Sequence, residues 1–121
     1  MLTTRDEIRR NQLARLNAPD SGLSRLRERN AFYRKKLEAV SLPLRSLDDL
    51  LELPFTTKSE LVEDQQTHPP YGTNLTEPVE SYTRIHATSG TTGHRLKCLD
   101  TNESWAWFTY CWQEIYRAIS R

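Results

Sequence analysis

The sequence predicts an α/β chain: a helical region of three to four helices over residues 1–70, then the opening strands, glycine loop and helix of an α/β domain over 71–121. Three observations carry this. Apolar residues recur at steps of three and four through the first part, helix-capping patterns punctuate it, and two β-rich runs then flank a glycine loop.

Thr4 to Leu16 reads as a first helix, with Ile8, Leu13 and Leu16 on one side and arginines around the rest. After the turn signal APDSG, the residues Leu23, Leu26, Asn30, Tyr33, Leu37 and Val40 mark one face of a single helix. Asn30 interrupts that seam, either fixing a register or marking a half-exposed position. SLPLRS closes the helix. Ser46 then caps a short one, SLDDLLEL, with Asp48 and Asp49 in its favourable first turn. Thr57 to Glu60, TKSE, is a capping box opening a helix to about Gln66, and His68-Pro69-Pro70-Tyr71-Gly72 breaks it.

Beyond Pro78 the pattern changes. VESYTRIHA alternates and reads as a strand, LKCL reads as a second, and ATSGTTGHR joins them. Thr101 is the expected cap of a last helix, on which Trp105, Phe108, Trp112, Ile115 and Ile119 form an apolar stripe. Two of the three tryptophans lie on that stripe, a face too large to leave in water. The helix runs to Arg121 with no stop signal, and a chain of this length is one modest domain or one piece of a larger one.

Charge excludes little. The 17 basic and 16 acidic residues nearly balance, yet Met1 to Lys36 holds 10 basic against 4 acidic, and the remainder 7 against 12. The arginine-rich front, with Phe32 and Tyr33 beside Arg34, Lys35 and Lys36, reads either as the solvated face of packed helices or as a nucleic-acid contact. Cys98 and Cys111 fit neither a CxxC pair nor a zinc knuckle, which suits a reducing cytoplasm; both are expected to pack as small apolar residues. MLTTRDEIRRNQ lacks the apolar core of a signal peptide, and no run approaches the roughly 20 apolar residues of a membrane helix, so no membrane partner is expected. His68, His86 and His94 lack ligand spacing, and no structural metal is expected. His68 reads as a surface turn residue. His86 reads as a packed strand histidine, with a pocket-lining role as the alternative, and Tyr110 and Tyr116 as edges of the core.

Two of only four glycines, Gly90 and Gly93, fall inside a run of hydroxyl residues. Glycine permits both the unusual dihedrals and the close approach that aim backbone amides at phosphate. Ser89, Thr91 and Thr92 add hydroxyls, and His94, Arg95 and Lys97 bring positive charge. The spacing is not that of the Walker loop, and a plain hairpin explains the composition equally well.

The run TSGTTG, Thr88 to Gly93, resembles the signature loop of the adenylate-forming enzymes: acyl-CoA synthetases, luciferases and nonribosomal adenylation domains. NAFYRKKLEA at 30–39, SLDDLLELPFTTKSEL at 46–61 and RIHATSGTTG at 84–93 together resemble the beginning of the phenylacetate-CoA ligase family, in its order and spacing. The likeness runs from about residue 23 on.

It implies that residues 71–121 begin an AMP-binding domain whose catalytic residues lie beyond residue 121. It implies ATP, Mg2+ and coenzyme A as cofactors, and a small carboxylic acid, with no nucleic acid, as partner. The implied nucleotide-binding residues are Thr88, Ser89, Gly90, Thr91, Thr92, Gly93, His94, Arg95 and Lys97. In that family the loop contacts the β and γ phosphates while the acid, here an aromatic one by resemblance, attacks the α phosphorus and passes to coenzyme A. One departure stands out. The family loop commonly continues with Lys-Pro, where this chain has His94 and Arg95. The competing reading is a small basic interaction module, binding nucleic acid, with TSGTTG as an ordinary hairpin turn.

Overall fold

The first helix, α1 (Arg5–Leu16), begins where its sequence provides a cap: the Thr4 hydroxyl accepts from the Glu7 amide at 3.2 Å, and the Glu7 carboxylate accepts from the Thr4 amide at 2.7 Å. The structure is a computed structural model and describes residues 4–90 and 93–120. Its chain divides into two compact units, Met1–Thr76 and Glu77–Arg121.

In the first unit, α1 ends at Asn17, whose carboxamide pairs with both backbone groups of Leu44. It donates to the carbonyl and accepts from the amide, each at 2.8 Å. Leu44 is buried, so these backbone groups have no water to turn to. Gly22 is buried too, and a Cβ there would lie 2.4 Å from the Leu16 carbonyl oxygen and 2.6 Å from that of Ala18. Only glycine lets the chain turn this tightly into the next helix.

The seam from Leu23 to Val40 is not one helix. It breaks at Asn30 into α2 (Leu23–Arg29) and α3 (Ala31–Lys36). Asn30 has extended dihedrals, its amide ends α2 on the Leu26 carbonyl, and its side-chain oxygen caps α3 by accepting from the Tyr33 amide at 3.1 Å. Its side-chain nitrogen donates to Asn74 Oδ1 at 2.9 Å and Thr76 Oγ1 at 3.1 Å. With 2 % of its surface exposed, Asn30 is a buried polar node joining both helices to residues 74–76. Of the two sequence readings for this residue, the half-exposed one is excluded.

Ser46 caps a six-residue 3-10 turn, Leu47–Glu52, rather than an α-helix. The capping box at Thr57 opens α4 (Lys58–Thr67), with the Glu60 amide 3.3 Å from the Thr57 hydroxyl. Glu60 also accepts from the Lys36 ammonium, tying α4 to α3. Farther along α4, the Asp64 carboxylate accepts from both the amide and the hydroxyl of Thr73, each at 2.6 Å. Gly72 sits at φ +76°, and a Cβ there would come within 2.3 Å of an Asp64 oxygen. His68 is exposed, with Nδ1 3.5 Å from Asp64.

The second unit is a hairpin with a helix on it. The strand read from Val79 begins only at Tyr82, because Val79–Ser81 forms a 3-10 turn closed from the Ser81 amide to the Pro78 carbonyl. Strands β1 (Tyr82–Ala87) and β2 (Lys97–Thr101) pair antiparallel, Ile85 opposite Leu99 and Ala87 opposite Lys97, with an irregularity between Tyr82 and Arg84. Thr101 caps α5 (Asn102–Ile119) by accepting from the Ser104 amide at 3.1 Å.

Two strands cover few side chains. Cys98 is therefore exposed, against the expectation of packing, while Cys111 is half-buried and Tyr110 and Tyr116 are exposed. Among the described residues no helix is long and apolar enough to cross a membrane.

Replacing Asn30 by Ala removes a cap and orphans buried partners, and is expected to destabilise the helical unit by about 2–4 kcal/mol in urea unfolding. A loss below about 0.5 kcal/mol would show the node to be dispensable. A second expectation concerns acid. The Lys36 ammonium, with help from Thr57, lowers the Glu60 carboxyl from 4.5 to about 2. A group with a depressed folded pKa stabilises the fold above its unfolded value, so this contribution is complete above about pH 4.5 and fades as pH falls toward 2. Unfolding midpoints measured across that window should drop in the wild type and flatten in Glu60→Gln.

Candidate functional site

The ladder of β1 and β2 ends at Ala87 and Lys97, and one residue closes the loop beyond it. The Thr88 amide donates to the Leu96 carbonyl at 3.0 Å, and the Leu96 amide donates to the Thr88 hydroxyl at 3.0 Å. Among the described residues of this unit Leu96 alone is buried, so its backbone bonds are shielded and its side chain anchors the returning limb. Thr88 is thus a clamp at the base, a role its place in a hydroxyl-rich motif did not reveal.

Inside the clamp the glycines do what their spacing suggested. Gly90 lies at φ +68° and Gly93 at φ +90°, both in the region that side chains disfavour. The Gly93 amide donates to the Gly90 carbonyl at 2.8 Å and so closes a turn within the loop. A Cβ on Gly93 would meet nothing within 4 Å, which marks its side as open. A Cβ on Gly90 would lie 2.7 Å from Arg95 Cγ, so the arginine stem crosses directly over that glycine.

Ser89, His94 and Arg95 are exposed and Lys97 is half-buried on β2. The Ser89 hydroxyl and the amides of Ser89 and Gly90 have no hydrogen-bond partner among the described residues. Thr91 and Thr92, two of the expected donors, lie outside the described residues. The arrangement offers hydroxyl, amide and guanidinium donors on one exposed loop, a donor set that suits an anion. No carboxylate occurs from Thr88 to Lys97.

Below the loop, β1 meets α5 at the Trp105 ring and where the Thr83 hydroxyl donates to Asn102 Oδ1 at 2.8 Å. His86 stacks on Trp105 with centroids 5.0 Å apart and planes at 20°, and the Arg84 guanidinium lies 4.9 Å from the same ring. His86 is exposed rather than packed, and the aromatic contact holds it against α5. Trp105 stacks in turn on Phe108, which meets Trp112 edge-on, and Trp112 lies tilted against Tyr116. Phe108 and Trp112 remain almost half exposed and Ile119 is 74 % exposed. Nothing in the local pattern of β1 signals the Arg84 contact, which depends on where α5 returns.

No protein-family model matches the chain. It is 36 % identical over 107 residues to a phenylacetate-coenzyme A ligase of Aromatoleum evansii, covering 81 % of this chain and 22 % of the relative. It is 41 % identical over 69 residues to a phenylacetate-coenzyme A ligase of Thermus thermophilus, covering 54 % and 14 %. Among solved structures, 2-hydroxyisobutyryl-CoA ligase in complex with 2-HIB-AMP and CoA in the thioesterification state matches with TM-score 0.72 and 30 % identity, over 85 % of this chain and 22 % of that one. The same ligase in the postadenylation state with 2-HIB-AMP matches with TM-score 0.71 and 27 % identity, over 85 % and 21 %.

The chain therefore spans about a fifth or less of the length of these relatives. It resembles part of phenylacetate-CoA ligase, and its helices and small sheet match part of the adenylate-forming ligase fold. The resemblance read from the three sequence blocks is borne out.

The clamp generates a direct expectation. Thr88→Val keeps the shape but removes the acceptor for the Leu96 amide, a loss of about 1 kcal/mol, so hydrogen exchange at that amide should quicken by roughly fivefold. Thr88→Ser should exchange like wild type. Equal protection in the valine variant would mean that the buried Leu96 side chain holds the loop by itself.

Proposed function

We propose that this chain is the N-terminal part of an ATP-dependent carboxylic acid–CoA ligase, and that residues 88–97 hold the terminal phosphates of ATP. The observation that carries the reading is the clamped loop, two glycines at positive φ beside amide and hydroxyl donors that have no partner among the described residues, in a chain similar to acid–CoA ligases.

The chemistry asks little covalent work of the protein. An oxygen of the acid attacks the α phosphorus of ATP, the bond to the β-bridging oxygen breaks, and pyrophosphate leaves. The coenzyme A thiol, losing its proton, then attacks the acyl carbon and AMP departs. In the first step the Ser89 hydroxyl and the amides of Ser89 and Gly90 would donate to the departing pyrophosphate, joined by the hydroxyls of Thr91 and Thr92. Thr88 would keep those donors in place before the nucleotide arrives, which is where preorganised donors have their effect. Charge would come from the His94, Arg95 and Lys97 segment.

Magnesium does not fit this segment by itself. Among the described residues no group of three or more His, Cys, Asp or Glu could hold a metal ion, and the loop has no carboxylate. Mg2+ would accompany ATP on ligands from elsewhere in the ligase. The acid is an aromatic one in this reading, after the phenylacetate-CoA ligases the chain resembles, and the free thiols Cys98 and Cys111 suit a cytoplasmic setting. The exposed stripe on α5 would be covered by more of the ligase, and residues 1–121 alone would be inactive.

The intact ligase tests the loop. Gly90→Val places a β-branched side chain at a positive φ and against Arg95, and acid-dependent pyrophosphate release should fall by about 10- to 1,000-fold. Conversion of a supplied acyl-adenylate to thioester should change little, because pyrophosphate has already gone. Wild-type release rates would reduce the loop to a hairpin turn; equal losses in both steps would indicate general misfolding of the site.

A further inference from the structure

We infer that Arg95 supplies the cation that meets the terminal phosphates at this loop, where the resembling family carries a lysine one position earlier; the inference rests on the nucleotide-binding reading above.

Three basic side chains compete for the role. His94 and Lys97 each already engage a partner within the chain. Lys97 is moreover half-buried on β2, in register with Ala87 below the clamp. Arg95 is exposed, and its guanidinium has no hydrogen-bond or ion-pair partner among the described residues.

Position strengthens the case more than availability does. The Arg95 stem runs over Gly90, its Cγ 2.7 Å from where a Cβ would stand. The stem thus passes the same residue whose amide, with that of Ser89, has no partner among the described residues. Its backbone cannot drift, because the next residue, Leu96, is buried and bonded through both its amide and its carbonyl to Thr88. Gly90 is required twice over, for its φ of +68° and for the space the arginine occupies.

The side-chain type matters as well. A guanidinium offers a planar fork that binds two phosphate oxygens at once, where an ammonium acts as a point charge. An arginine that reaches over the loop can thus serve a diphosphate group from a position where a proline stands in the resembling family.

Inorganic pyrophosphate is the probe. It is titrated into the intact 15N-labelled ligase at low ionic strength, following the amides of Ser89 and Gly90 and the Arg95 side-chain Nε–H. All three should shift with one dissociation constant. Arg95→Gln should weaken binding about tenfold, the loss of one charge-assisted pair, and Arg95→Lys about threefold, since charge remains and the fork is gone. If the loop amides still shift and Arg95→Gln binds like wild type, or if the loss follows Lys97→Gln instead, the assignment to Arg95 is overturned while the nucleotide-binding reading stands. If neither loop amide responds at any concentration, that reading falls and this one with it.

Discussion

Backbone groups that side chains must satisfy, rather than a large apolar core, hold this chain in shape. Among the described residues only Leu37, Leu44 and Leu96 are fully buried apolar side chains. Burial on that scale does not fix the turns of a chain this long. The turns are fixed instead by carboxamides, carboxylates and hydroxyls that replace water at buried amides and carbonyls: Asn17 on Leu44, Asn30 on Tyr33, Asp64 on Thr73 and Thr88 on Leu96. Two of the three buried leucines have backbone groups bonded this way, so apolar burial and polar satisfaction act at the same places.

The same device orders the glycine loop. A glycine loop that is free to open has no fixed direction for its donors, and ordering it on a ligand costs entropy of about 1–2 kcal/mol per residue. Clamping Thr88 to Leu96 removes part of that cost beforehand. It also leaves the donors of Ser89 and Gly90 without partners among the described residues while Gly93 bonds back to Gly90. Below it, Trp105 carries both Arg84 and His86, and so couples β1 to α5 at the strand that leads into the loop.

How much of this was legible depended on sequence distance. Whereas the box at Thr4 emerges only in the structure, the cap at Ser46 and the capping box at Thr57 were readable because donor and acceptor stand two or three residues apart. So were the hairpin, the cap at Thr101 and the glycines of the loop. The break at Asn30 was not, because a three-and-four seam looks the same whether or not the helix is continuous. What settles it is a pair of partners, Asn74 and Thr76, more than forty residues away. Gly22 reads locally as a turn residue, yet its necessity lies in the carbonyls of Leu16 and Ala18. Within the site, the hydroxyl and glycine composition pointed to phosphate, but only the return of Leu96 reveals Thr88 as a clamp. Cys98 misled for a related reason: cysteine is commonly buried, and two strands bury little.

The central claim is that this chain opens a ligase that activates an acid with ATP before any thiol is involved. Measuring AMP formation by the intact protein, with a panel of carboxylic acids and with coenzyme A present or withheld, tests it most directly. The account predicts acid-dependent pyrophosphate release without coenzyme A, and continued turnover to AMP and a thioester only when coenzyme A is added. ATP cleavage indifferent to every acid, together with nucleic-acid binding that weakens steeply as salt rises, would contradict it.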